Sequence, residues 1–84
     1  MIVFRFTKTS EKELYSLDPK IRTHITESLT HMKDPQLLGL HSKRVVNLLP
    51  ATHRLRIGNY RLLYSRKDDT VLILTIGHRK EVYK

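Results

Sequence analysis

The feature that most constrains the fold of this chain is an alternation of polar and apolar residues on both sides of Gly58-Asn59. Residues 53–57 read His-Arg-Leu-Arg-Ile, and residues 60–64 read Tyr-Arg-Leu-Leu-Tyr. A period of two is typical of a half-buried strand, and Gly-Asn between two such runs indicates a two-residue hairpin turn. The pattern therefore predicts an antiparallel hairpin with Gly58-Asn59 at its tip.

A two-residue turn also predicts the register of the hairpin, with Ile57 opposite Tyr60. The next pair is then Arg56 opposite Arg61. Because side chains alternate between the two faces of a strand, Arg54 shares a face with both of these arginines. Like charges directly opposite each other cost a few tenths to about 1 kcal/mol, and such costs are commonly found at functional sites. The three arginines therefore predict either a cationic binding face or side chains that simply extend into water.

Two helices are predicted between a first strand and this hairpin. Residues 2–6 alternate as a strand would. Ser10 and Glu13 have the spacing of a capping box, which predicts the start of a short helix. Asp18-Pro19 then predicts the start of a second, amphipathic helix, which Asp34-Pro35 ends.

The rest of the chain completes the predicted sheet. Residues 35–51 show no clear period and are predicted to form a mostly irregular connection with buried anchors. Residues 70–76 are apolar on both faces, as a central strand would be. The order is then β-α-α-β-β-β, and runs of strands without alternating helices favour an α+β fold. We therefore predict a single domain over residues 1–84, an antiparallel sheet with two helices packed on one face.

Composition limits the classes of function. The chain has 84 residues and no cysteine, which excludes disulfides, thiolate metal sites and a cysteine nucleophile. The N-terminus lacks the pattern of a secretory signal, and no apolar run reaches the roughly 18 residues that span a membrane. A net charge of +8 favours nucleic acid as a partner, although an acidic protein would also fit. These features predict a cytoplasmic protein with no membrane association.

A second group of polar residues follows the last predicted strand. It begins at Gly77 and includes His78, Arg79 and Lys80, with Tyr83 close behind. If this end of the strand lies near the arginines, the site combines cations, an imidazole and a phenol. RNA can be cleaved by its own 2′-hydroxyl when a protein moves the protons and stabilises the anionic phosphate. Arginine suits the phosphate charge, while His78 or Tyr83 would suit proton transfer.

Other basic residues are weaker candidates for an RNA-binding face. Lys43 and Arg44 lie in the irregular connection, where they would either contact RNA or be solvated, and His53 would flank the arginines. His24 and His31 are seven residues apart on one predicted helix, about 10 Å by helical rise, which is too far to share a metal ion. The sequence predicts neither a metal site nor a cofactor.

The hairpin and the tail together resemble the RelE/ParE superfamily of toxins. The resemblance rests on the R-x-R-x-G-x-Y-R strand pair that begins at Arg54 and on the G-H-R-x-x-V-Y segment that begins at Gly77. It implies a RelE-like toxin domain that belongs to a type II toxin–antitoxin system. In the RelE branch it further implies a ribosome-dependent endoribonuclease, which cuts messenger RNA in the A site by 2′-hydroxyl attack without a metal ion.

The resemblance also implies roles for individual residues and for partners. Arg54 and Arg56 match a basic pair on the strand before the hairpin, where the best-known members have lysines. Arg61 and Arg79 match arginines that stabilise the transition state, and Tyr83 matches a tyrosine that acts as a base or stacks on RNA. The implied partners are a RelB-like antitoxin, the ribosome and messenger RNA, with a toxin–antitoxin hetero-oligomer as the implied assembly.

Two alternative functions share this pattern. The ParE-like branch has the same fold but inhibits DNA gyrase and generally lacks the catalytic set, so the joint presence of Arg61, Arg79 and Tyr83 favours RelE. A non-enzymatic RNA or ribosome binder would use the same cations without turnover. Cleavage of ribosome-bound messenger RNA separates the nuclease from both alternatives.

Overall fold

Three helices and five strands make up residues 1–80, the part of the chain that a computed structural model describes. In chain order they are β1 (Val3–Phe6), α1 (Lys8–Ser16), α2 (Pro19–His31), α3 (Pro35–Leu40), β2 (Ser42–Arg44), β3 (His53–Ile57), β4 (Tyr60–Lys67) and β5 (Thr70–His78). The predicted α+β class is confirmed, but the predicted order lacks α3 and β2. No helix in this part of the chain is long and apolar enough to cross a membrane.

The strands form one sheet in the order β1-β5-β4-β3-β2. The first strand joins it non-sequentially, as expected, and the predicted antiparallel sheet is confirmed except for one pair, because β1 runs parallel to β5. The other three strand pairs are antiparallel. The β1–β5 pair places Val3 beside Thr70, which is 67 residues away in the chain. The alternation of residues within one strand does not reveal whether such a distant strand runs parallel or antiparallel to it.

Side-chain caps decide where the first two helices begin. Asp18 accepts a hydrogen bond from the Lys20 N–H at 2.9 Å and starts α2, as predicted. The predicted capping box at Ser10 is wrong, because Thr7 caps α1 and accepts from the Ser10 N–H at 3.0 Å. Ser10 is instead fully buried, and its hydroxyl donates to the Ile73 carbonyl at 2.7 Å. This bond ties α1 to β5.

The segment over residues 35–51 is more regular than predicted. Asp34 accepts from the Gln36 N–H at 2.9 Å, so the Asp-Pro pair that follows α2 also starts α3. The chain then enters β2, where Ser42 lies opposite Leu55 of β3. Both elements are missed by sequence reasoning because a six-residue helix and a three-residue strand are too short to show a period.

One hydrophobic core lies between the helices and one face of the sheet. The helices contribute Leu14, Ile25, Leu29, Met32 and Leu38, and the strands contribute Leu55, Ile57, Leu62, Tyr64, Val71, Ile73 and Ile76. The prediction that α1 and α2 pack on one face is therefore confirmed. Since Leu55 and Ile57 point into the core, the arginines that alternate with them on β3 point to the other face.

Candidate active site

The predicted β3–β4 hairpin is confirmed, including its register. Arg56 lies directly opposite Arg61, and Arg54 lies two residues before Arg56 on the same face of β3. At the tip, Gly58 has a φ of +58°, a left-handed conformation that glycine adopts without steric cost. We call the sheet face that carries Arg54, Arg56 and Arg61 the arginine face.

The guanidinium of Arg61 is held at the hairpin tip. Its Nη1 atom donates to the Tyr60 carbonyl at 3.2 Å and to the Gly58 carbonyl at 3.3 Å. Arg61 is half-buried, whereas Arg56 opposite it is exposed. A planar donor group that is already oriented loses less conformational freedom when it binds a phosphate.

The three arginines line a cleft of about 670 Å³. Its walls come from α2, from the turn between α3 and β2, and from the β3–β4 hairpin. We call it the arginine cleft. The other polar side chains that line it are His24, Ser28, His31, His41, Ser42 and Lys43. No acidic side chain of residues 1–80 lines it, so the local charge favours a polyanionic ligand.

The two basic residues predicted in the connection lie on different faces of the sheet. Lys43 pairs with Arg54 across β2 and β3, lines the arginine cleft and extends its row of cations. Arg44 pairs with His53 instead. Because neighbouring residues of a strand point in opposite directions, Arg44 and His53 lie away from the arginine face. The structure therefore brings Lys43 to the candidate site but not Arg44 or His53.

His53 has a structural environment of its own. Its ring stacks on Tyr64, with ring centroids 5.1 Å apart and planes 7° from parallel. Burial, together with the positive charges of Arg44 and Arg66, holds the pKa of His53 below its ordinary value of 6.5. Burial also raises the pKa of Tyr64, whose hydroxyl donates to the Ser42 hydroxyl at 3.0 Å. These contacts indicate that His53 serves packing.

A bulge in β5 moves His78 away from the arginines. Tyr64 pairs with Ile73 and Leu63 pairs with Thr75, so Leu74 has no partner on β4. The extra residue reverses which face the following side chains use. His78 consequently pairs with Tyr60, and the two rings meet edge to face at 5.7 Å. The expectation that His78 would join the arginines is therefore wrong.

The residues after β5 approach the hairpin tip. The Arg79 N–H donates to the Asn59 carbonyl at 2.9 Å, and Gly77 lies opposite Arg61. This brings Arg79 to the same end of the hairpin as Arg61. Lys80 is exposed, and its N–H donates to Nδ1 of His78 at 3.3 Å. Tyr83 lies outside the described residues.

Three histidines that sequence reasoning left aside line the arginine cleft. His24 and His31 face it from α2, and their seven-residue spacing already put them on one side of that helix. His41 reaches it from the turn before β2. No sequence signal marked His41, because its position depends on the pairing of β2 with β3. Within residues 1–80, no three metal-ligating side chains lie close enough together to hold a metal ion.

The comparisons with known proteins identify the family. A family model described as the ParE toxin of the type II toxin–antitoxin system parDE matches residues 4–83. The chain belongs to the ParE toxin family. It is also 34% identical to Toxin RelG of Mycobacterium tuberculosis, over 95% of this chain and 93% of that protein. The toxin is therefore of the RelE type.

Solved structures agree with this assignment. The toxin matches a chain of the toxin–antitoxin complex RelBE2 of Mycobacterium tuberculosis at 34% identity, with a TM-score of 0.79 over 93% of this chain and 98% of that one. It also matches a chain of the RelB–RelE antitoxin–toxin complex of Methanococcus jannaschii, at 28% identity and a TM-score of 0.70 over 93% of each chain. A chain of the RelE–RelB complex of Pyrococcus horikoshii shares the fold at 21% identity, with a TM-score of 0.73 over 96% of this chain and 98% of that one.

Proposed function

We propose that this toxin is an endoribonuclease that cuts messenger RNA in the ribosomal A site. The observation that carries the proposal is the convergence of Arg54, Arg56 and Arg61 on one cleft that no acidic side chain of residues 1–80 lines. The cleft offers guanidinium groups where a phosphate would gain charge during the reaction. The RelE type of the toxin supports the same activity.

The arginines suit a reaction in which the RNA supplies its own nucleophile. The 2′-hydroxyl attacks the neighbouring phosphorus, and the extra negative charge develops on the phosphate oxygens. Arg61, already held at the hairpin tip, and Arg56 opposite it would bind those oxygens bidentately. Arg79 would approach from the tail, and Tyr83 would stack on a base or take part in proton transfer. Such a mechanism requires no metal ion.

The proposal includes two partners. A RelB-like antitoxin would hold the toxin inactive in a hetero-oligomer, since similar toxins occur in RelB–RelE complexes. The net charge of +8 gives an acidic antitoxin a physical reason to bind. The second partner would be the ribosome with its messenger RNA. Action on ribosomes would place the toxin in the cytoplasm. An antitoxin that binds only the folded toxin must also raise its melting temperature.

The test uses purified toxin and ribosomes programmed with a defined messenger RNA. We expect cleavage within the A-site codon, with a 2′,3′-cyclic phosphate on one product and a 5′-hydroxyl on the other. Primer extension maps the cut. Arg61→Gln should lower the cleavage rate by about 10²-fold or more, as expected when a group that stabilises the developing charge is removed. Arg5→Gln on β1 is the matched control, because it removes the same charge from an exposed site outside the cleft.

Three outcomes are informative. A-site cleavage that depends on Arg61 but not on Arg5 supports the proposal. Ribosome binding without any cut contradicts it and favours a non-catalytic RNA or ribosome binder. Inhibition of gyrase-catalysed DNA supercoiling, without a cut in the messenger RNA, would favour the ParE-like alternative instead.

A further inference from the structure

The proposed reaction requires a group that accepts the proton of the 2′-hydroxyl, and arginine is unsuited to that role. A guanidinium stays protonated in proteins, so Arg54, Arg56 and Arg61 cannot accept the proton of the 2′-hydroxyl. Histidine is the side chain that most readily exchanges protons near neutral pH. Of the five histidines, His53 and His78 point away from the arginine face, which leaves the three that line the cleft.

His41 is the histidine that lies in line with the arginine pair. The Arg56 N–H donates to the His41 carbonyl at 2.9 Å, which extends the β2–β3 ladder by one residue beyond Ser42 opposite Leu55. The backbone of His41 therefore lies next to that of Arg56, which in turn lies opposite Arg61.

The backbone of His41 is fixed at both ends while its side chain is exposed. Its N–H donates to the Leu38 carbonyl at 3.2 Å, at the end of α3, and its carbonyl accepts from Arg56. The imidazole lines the cleft without being buried. A proton-transfer group needs this combination of a defined position and access to the substrate.

His24 and His31 are placed less favourably. Both lie on α2, which forms the opposite wall of the cleft, and neither is hydrogen-bonded through its backbone to an arginine strand. The other charged and titratable residues that line the cleft with His41 are Lys43, Arg54, Arg56 and Arg61 from the sheet, with His24 and His31 from α2.

We propose that His41 is the general base of this toxin, an inference that rests on the proposed function. Its neutral imidazole takes the proton from the 2′-hydroxyl. The 2′ oxygen then forms a bond to phosphorus, while the bond from phosphorus to the 5′ oxygen breaks. Water protonates the departing 5′ oxygen, and the imidazolium returns its proton to solvent. Arg56 and Arg61, which line the cleft with His41, neutralise the charge on the phosphate.

The experiment measures cleavage of A-site messenger RNA under single-turnover conditions over a range of pH. His41→Gln should lower the rate by about 10²- to 10⁴-fold and remove the decline of the rate at acidic pH. Binding to the ribosome should not change. Exogenous imidazole should restore part of the rate to His41→Ala, which a purely structural role of His41 would not allow. Glu27→Gln, at an exposed position of α2 outside the cleft, is the control and is expected to keep the wild-type rate and pH profile.

The outcomes separate this inference from the proposed function. If the wild-type toxin cuts messenger RNA and His41→Gln cuts at the same rate with the same pH profile, His41 is not the base, while the nuclease proposal stands. If the wild-type toxin cuts nothing, the proposed function itself fails. Should His41→Gln lose its fold by circular dichroism, imidazole rescue of a folded His41→Ala decides the question. A slow His41→Ala that imidazole does not restore contradicts the inference.

Discussion

Arg56 and Arg61 lie opposite each other on neighbouring strands. This arrangement suits the binding of a phosphate group, but it lowers the stability of the folded protein. Their like charges lie directly opposite each other across β3 and β4, which is unfavourable for strand pairing. Local features that reduce stability are commonly retained where they serve a function. At this position, stability and activity should therefore change in opposite directions.

We expect Arg56→Gln to make the toxin more stable and less active. Removing the like-charge pair should raise the free energy of unfolding by up to about 1 kcal/mol, while the rate of RNA cleavage falls. Urea denaturation measures the stability. Arg5→Gln should change it by less than about 0.5 kcal/mol. A loss of stability in Arg56→Gln would show instead that Arg56 serves the fold.

His53 should make stability depend on pH. Its pKa is lower in the folded toxin than its ordinary value of 6.5, so the unfolded chain binds the proton more tightly. The stability that neutral His53 contributes is full above pH 6.5 and is lost as the pH falls through the folded pKa. We expect the melting temperature to drop between neutral pH and about pH 5, by more in the wild type than in His53→Phe. Equal slopes for the two proteins would exclude His53 as the cause.

At the scale of elements, α1 completes the sheet where a strand is missing. The pairing of β1 with β5 ends at Phe6 opposite Ile73, which leaves the edge of β5 open beyond that point. Glu13 of α1 covers this edge. Its carboxylate accepts from the Ile76 N–H at 3.0 Å and from the Thr75 hydroxyl at 3.0 and 3.1 Å. A helix side chain thus does for β5 what a longer β1 would have done.

Glu13→Ala should destabilise the fold by about 1–3 kcal/mol, because it leaves a partly buried N–H and a hydroxyl without their acceptor. Chemical denaturation of the toxin measures this cost. Glu27→Ala, on the exposed side of α2, removes the same charge and should change stability by less than about 0.5 kcal/mol. Similar costs for both variants would show that the lost charge, and not the edge contact, matters.

At the scale of the whole molecule, the net charge of +8 predicts that RNA binding weakens as salt rises. For single-stranded RNA, each phosphate contact adds about 0.7 to the slope of log affinity against log salt. Arg56→Gln should therefore reduce the slope by about that amount, while Arg5→Gln should leave it unchanged. A 2′-O-methyl RNA, which binds but cannot be cut, gives the slope by fluorescence anisotropy. Equal reductions would place the RNA across the whole sheet and not in the arginine cleft.

The hairpin and its arginine pair could be predicted from the sequence alone, and so could the start of α2. Each depends on interactions between residues close in the chain. A two-residue turn determines that Arg56 faces Arg61, and an aspartate before a proline determines where a helix can begin. The three arginines of the candidate site therefore followed from local rules.

Only the tertiary structure decided what surrounds those arginines. The parallel pairing of β1, the pairing of β2 with β3 and the bulge at Leu74 join segments that no local pattern relates. A single unpaired residue turned His78 away from the site, and a three-residue strand brought His41 into it. Alternation along a strand shows which residues share a face of the sheet. The pairing with other strands determines whether that face packs on the core or carries the candidate site, and which residues lie next to it.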